Sequence, residues 1–195
     1  MPHEAQGPPR TSAMRTTPRF RSSIPRHAEA RITEWHANGA KATAEYFIDG
    51  QLVGARRFDA EGSLELDCGW RDGRLHGTTY RIDIPGRLLS ATPYSRGLEH
   101  GKARQWGDDG RLLGTYRMHR GTGIDLWWDE TWRKPRRRYL AEVRFYRCGQ
   151  RHGFEWWINE DQASFLPVIA RRGLGAAGES VATTGVGSSA GVITS

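Results

Sequence analysis

Residues 64–71, Leu-Glu-Leu-Asp-Cys-Gly-Trp-Arg, alternate apolar and polar side chains with a period of two. Successive side chains of an extended strand point to opposite faces, so this stretch predicts a β-strand. One face carries Leu64, Leu66, Cys68 and Trp70; the other carries Glu65, Asp67 and Arg71. The phase recurs along the chain and is marked by glycines. Gly39, Gly62, Gly86 and Gly110 form one series, spaced 23, 24 and 24 residues apart. Gly50, Gly73, Gly97, Gly121 and Gly149 form a second, spaced 23, 24, 24 and 28 apart. Gly54, Gly77, Gly101 and Gly153 form a third, four positions after the second; the fourth copy is shortened there to Gly121-Thr122-Gly123.

Apolar side chains keep the same phase. Trp35, Phe58, Ile82 and Trp106 stand four residues before the first glycine, and Phe47, Trp70, Tyr94, Met118 and Tyr146 three before the second. Ala37-Asn38-Gly39, Ala60-Glu61-Gly62 and Asp108-Asp109-Gly110 fit three-residue hairpin loops whose last residue needs φ > 0. That loop sets Phe58 opposite Leu64 and Trp106 opposite Leu112. Internal repeats of this length signal a repeat architecture. The expectation is an all-β fold: an elongated, single-layer antiparallel β-meander of five tandem hairpins with about ten strands, its stability held between neighbours. Gly39, Gly50, Gly62, Gly73, Gly97, Gly110 and Gly149 are the structural turn residues.

Composition divides the chain. Apolar residues make up 37 %, less than an ordinary globular domain, and 18 of the 20 aromatic residues lie between 33 and 158. Residues 1–31 are rich in Arg, Pro, Ser and Thr and are expected to be a disordered arm. Residues 32–158 are the repeat domain. Residues 159–195 are expected to hold a short capping segment, with Phe165, Leu166, Val168 and Ile169 over the last edge, and a flexible Gly/Ala/Ser-rich tail. No run of 18 apolar residues is present, so no membrane-spanning helix is expected. Two cysteines, Cys68 and Cys148, make no disulfide framework and fit reduced thiols in a cytoplasmic protein.

The pattern Asp/Asn/Glu-Gly-x-Leu, an aromatic, x-x-Gly, then x-x-His-Gly and a further aromatic resembles the MORN repeat. It is most like the variant in bacterial YwqK-type antitoxin proteins. Asp72-Gly73-Arg74-Leu75-His76-Gly77-Thr78-Thr79-Tyr80 and Asp109-Gly110-Arg111-Leu112 carry the match best. The resemblance covers about residues 33–158. Pro85, the shortened fourth copy and the extra residues near Thr131–Arg138 depart from it. It implies a twisted antiparallel meander serving as an interaction or membrane-associated module, and it assigns no catalytic residue.

Candidate chemistry is sparse. His76, His100 and His152 share a phase just before the third glycine, but equivalent side chains of adjacent copies stand ~9–10 Å apart, too far to share a zinc ion. They read as turn residues. No nucleophile motif occurs, and the Gly-x-x-x-Gly units precede no helix. No enzyme activity, cofactor, metal or small-molecule substrate is expected. The net charge is +7, yet Arg133, Lys134, Arg136, Arg137 and Arg138 supply five positive charges of a repeat body that would otherwise be near neutral. That balance argues against a dedicated nucleic-acid binder.

The repeat spacing stretches to 28 at this basic run, which lies among five of the eight Trp. Trp127-Trp128 and Trp156-Trp157 are adjacent pairs, so the members of each pair must face opposite sides of a strand. The predicted partner site is therefore Trp127, Trp128, Trp132, Arg133, Lys134, Arg136, Arg137, Arg138, Trp156 and Trp157. A protein partner is expected, with antitoxin-like binding as the family branch suggests. The alternative is an anionic membrane surface held by the basic insert.

Overall fold

Turn chemistry sets the register of the sheet. In the computed structural model, which describes residues 20–83, 86–132 and 135–160, the first-series loops close as expected. Asp59 N donates to Ser63 O at 2.9 Å, Gly62 N donates to Asp59 O at 3.0 Å, and Gly62 adopts φ +86°. Phe58 stands opposite Leu64 and Trp106 opposite Leu112, as the loop length predicts. The second-series turns are tighter. Both central residues are left-handed, for example Asp72 at φ +51° and Gly73 at φ +69°, the geometry of a two-residue type I′ hairpin.

These turns join β1 (Glu29–Trp35), β2 (Lys41–Ile48), β3 (Gln51–Phe58), β4 (Leu64–Arg71), β5 (Arg74–Leu75), β6 (Gly77–Asp83), β7 (Arg87–Ser95), β8 (Leu98–Glu99), β9 (Gly101–Trp106), β10 (Leu112–His119), β11 (Thr122–Glu130), β12 (Arg138–Arg147) and β13 (Gln150–Trp157). They make one open antiparallel sheet in the order β1-β2-β3-β4-β6-β7-β9-β10-β11-β12-β13, with β5 beside β4 and β8 beside β7. Almost every strand neighbours the next in sequence. β5 and β6 are one strand interrupted at His76-Gly77, and β8 and β9 one strand interrupted at His100-Gly101. The third-series glycines sit at these breaks, Gly77 at φ +87° and Gly101 at φ +117°. Among the described residues no helix is long and apolar enough to cross a membrane.

The break in β6 admits a second layer. Residues 20–24 run across the centre of the sheet. Ile24 is buried against Gly54, and Ser23 lies where side chains at Gly69 and Gly77 would stand. Thr78 N donates to Ser23 Oγ at 2.8 Å, and the Phe20 ring lies 5.4 Å from the Tyr80 ring. Beneath this strap, register places Ala44, Arg56, Asp67, Tyr80 and Ala91 in one row across five strands.

One expectation is corrected by the structure. Residues 20–31 belong to the folded body rather than to a disordered arm, and β1 begins at Glu29. The reason is chemical: a Ser-Ser-Ile segment supplies two hydroxyls and one apolar side chain to a glycine-lined groove. On the polar face of β4, Asp67 is withdrawn from solvent, whereas Arg71 is exposed and Glu65 partly so. Asp67 is 0 % exposed because Ser22 Oγ donates to its two carboxylate oxygens at 2.9 and 2.7 Å and Arg56 Nε donates at 2.8 Å. Fully paired charge tolerates burial that an unpaired carboxylate would not. Residues 1–19 and 161–195, with the expected capping segment and tail, lie outside the described residues.

Candidate functional site

Among the described residues both edge strands of the sheet are exposed, β1 at every position and β13 at nearly every one, and β13 carries Phe154, Trp156 and Trp157 among the large exposed aromatic side chains. Cross-strand register separates the tryptophan pairs as alternation requires. Trp127, Glu142 and Trp157 share one row, and Leu126, Val143 and Trp156 the row beside it on the opposite face. Val143 is buried, whereas Trp156 is 50 % exposed and Trp157 64 % exposed. Phe154, in the same strand, is 70 % exposed and carries no signal that sequence reasoning used. Its neighbours Arg151, His152 and Gly153 are likewise exposed, because among the described residues β13 is an edge strand with a pairing partner on one side only.

The remaining predicted residues divide. Trp128 is not a surface anchor: its ring lies over Gly114, where an added Cβ would collide with it, and its backbone is clasped by Gln105. Gln105 Oε1 accepts from Trp128 N at 2.9 Å, and Gln105 Nε2 donates to Trp128 O at 2.5 Å. Trp127 is half-buried in β11. Trp132 is 73 % exposed, and its N–H lies 3.5 Å from Glu160 Oε2, which brings the insert to the chain just after β13.

The basic insert is more tied down than a free patch. Thr131 N donates to Arg137 O at 2.8 Å, closing the described part of the loop. Arg136 pairs with Asp108 at 3.0 Å, and Arg138, already in β12, donates to Leu113 O at 2.5 Å. The Asp108 pair neutralises part of the expected charge, and the Leu113 bond spends Arg138 on the sheet. Arg137 is exposed; Arg133 and Lys134 lie outside the described residues.

Behind the aromatic end lies a charged interior. Tyr94 and Tyr116 both donate to Glu99, at 3.2 and 3.1 Å. Burial, then the charge of Asp125, pushes the Glu99 carboxyl above its ordinary range. Burial, then Glu99, pushes both tyrosine hydroxyls up as well. Arg144 lies 3.2 Å from Asp125 and 3.1 Å from Glu142. Burial raises the Asp125 carboxyl, and the Arg144 charge opposes this in part. The two hydroxyls anchor Glu99 by hydrogen bonds from both sides. Among the described residues no group of three or more His, Cys, Asp or Glu converges as a metal site would require. No family model matches this chain, and no curated protein is similar to it.

Proposed function

We propose that this chain is a non-enzymatic, MORN-like interaction module, cytoplasmic, that holds a partner protein at its fifth-copy end. The observation that carries the reading is the exposed aromatic set Trp132, Phe154, Trp156 and Trp157 at this end, the last three spread over both faces of β13, which pairs on one side only among the described residues. Large aromatic side chains supply most binding energy at protein interfaces, and an unpaired edge accepts an added strand through main-chain hydrogen bonds. The antitoxin-like role is the specific form of this reading: the partner would be a toxin whose active surface the docked sheet covers.

The test is co-expression with the products of neighbouring genes, followed by co-purification with the parent and with the double variant Trp156→Ala, Trp157→Ala. We expect a defined partner to be retained by the parent and lost by the variant, with the variant's stability within about 0.5 kcal/mol of the parent, as for exposed positions generally. Equal retention by both proteins refutes the assignment. The membrane-surface alternative is the weaker one, because Arg136 and Arg138 already hold partners within the fold.

A further inference from the structure

The row of type I′ turns along one rim of the sheet carries a feature that the interaction reading does not use. The first central residue of such a turn must be left-handed, and Asn, Asp or Gly meets that demand at least cost. The first two copies follow the rule with Asp49 and Asp72. The third and fourth place Arg96 at φ +53° and Arg120 at φ +50°. Strained backbone of this kind concentrates where function requires a particular side chain.

The turns are also fixed relative to one another. Gly97 N donates to Leu75 O at 2.9 Å, and Gly121 N to Glu99 O at 2.8 Å, each bond running from one copy to the next. The stem of Arg74 packs at Gly97, 3.6 Å from the position of an added Cβ. Two adjoining cavities lie between these turns. One, of about 570 Å³, is lined by Arg71, Arg74, Arg96 and His76, with Asp72 its sole carboxylate. The second, of about 500 Å³, is lined by Arg96, Arg120, His100 and His119 and by no carboxylate. Ser95 and Arg96 belong to both.

Among the described residues none of these four arginines forms an ion pair, in contrast to Arg56, Arg87, Arg136 and Arg144 elsewhere in the fold. His100 is oriented by its neighbour: Arg120 N donates to His100 Nδ1 at 3.2 Å, which leaves Nε2 as the donor of the neutral ring. Among the described residues the rim therefore presents guanidinium forks and imidazole groups with no ion pair to satisfy the arginines and Asp72 as the one carboxylate beside them.

We infer that this rim binds a compact, soluble ligand bearing two or more phosphate groups, with Arg96 shared between them. Arginine forks match phosphate oxygens in bidentate geometry. Adjacent copies repeat every two strands, ~10 Å, which sets the span of the ligand. No Trp, Tyr or Phe lines either cavity, so nucleobases have no stacking platform. The exposed aromatic residues that would anchor in a bilayer lie elsewhere, at Trp35 and at the fifth-copy end, which favours a soluble ligand over a lipid surface.

The experiment is calorimetric titration of the full chain with inorganic tripolyphosphate at constant ionic strength, using Arg96→Asn, Arg120→Asn and Arg136→Gln. Asn suits the left-handed turn better than Arg, so the first two variants should melt at or above the parent temperature. We expect Arg96→Asn to weaken binding tenfold or more, Arg120→Asn severalfold, and Arg136→Gln not at all. A parent heat that sodium chloride reproduces overturns the proposal, as does an Arg96→Asn variant that binds like the parent. Binding of the parent to phosphatidylserine vesicles without any tripolyphosphate binding overturns it in favour of a membrane surface.

Discussion

Gly77 and Gly153 occupy the same position of the repeat, four residues after the second turn glycine, and share nearly the same backbone, φ +87° and +82°. Around Gly77 the space is filled: Ser23 Cβ stands 2.7 Å from where a Cβ would be, and Ile24 and Ser22 continue the cover over Gly54 and Asp67. Around Gly153 no heavy atom lies within 4 Å of that point. One unit therefore builds two kinds of surface. At the centre of the sheet a strap from before β1 supplies a second layer, and the residues beneath it include the most buried side chain of the described fold. At the fifth-copy end the same groove is open and aromatic side chains project beside it. A sheet one layer thick is closed only where something crosses it, and among the described residues nothing packs at Gly153 as Ser23 does at Gly77.

The sharpest way to break this contrast is at its buried charge. Asp67→Ala removes the partner of Arg56 and of Ser22 beneath the strap, and should cost about 3 kcal/mol in urea denaturation, the low end for a broken buried pair because the Arg56 side chain is 28 % exposed. Asp109→Ala, which removes an exposed pair at a loop, should cost well under about 1 kcal/mol. Similar losses in the two variants would mean that the strap does not seal the site.

Truncation isolates the strap itself. A chain beginning at Phe20 keeps it, whereas one beginning at Pro25 loses Ile24 and both serines. The second should be less stable than the first by about 2 kcal/mol, the scale of one buried aliphatic side chain, read as a lower melting temperature. Matching temperatures would place the strap outside the cooperative unit.

Next comes the glycine pair. Gly77→Ala and Gly153→Ala carry nearly the same backbone cost, so their difference reports the packing of Ser23. We expect Gly77→Ala to be worse by about 1–2 kcal/mol. A difference near zero in chemical denaturation would show that both grooves are open.

The smallest effect concerns the charged interior that separates the two regions. Burial raises the folded-state pKa of Glu99 above its ordinary 4.5. The folded chain then holds this proton to higher pH than the unfolded chain does. The resulting stabilisation is complete below the ordinary value and is lost as pH rises through the raised one. Relative to Glu99→Gln, the parent should therefore lose stability as pH rises from the ordinary glutamate range through the raised value and run parallel above it, in denaturation midpoints compared across pH. Asp125 adds to the effect of burial while Tyr94, Tyr116 and Arg144 oppose it, and a difference independent of pH would mean that these three fully offset burial and Asp125 together.

How much of this was legible in the chain follows the range of the physics. Strand alternation, loop length and the demand for left-handed residues act over two to five residues. They are written locally, which is why the Phe58–Leu64 and Trp106–Leu112 pairings and the single meander could be read directly. The resemblance of Trp127-Trp128 to Trp156-Trp157 could also be read, but not which members would be covered. Trp128 is half-buried against Gly114 and Gln105, which are distant in sequence and adjacent only after the sheet forms.

The strap was illegible for the same reason on a longer scale. Ser22 meets Asp67 across 45 positions and Ser23 meets Thr78 across 55, and nothing in an Arg-, Pro- and Ser-rich composition announces a groove so far along the chain. Arg136 meets Asp108 across 28 positions, so a run of charge that reads as a free patch is partly neutralised by the fold. The sequence by itself determined the repeat, its turns and its register, because local backbone preference and period-two patterning need no distant partner. Tertiary structure alone decided which grooves are filled, which charges are paired and which aromatic side chains remain exposed, because burial depends on contacts that exist only once separate copies and the strap are brought together.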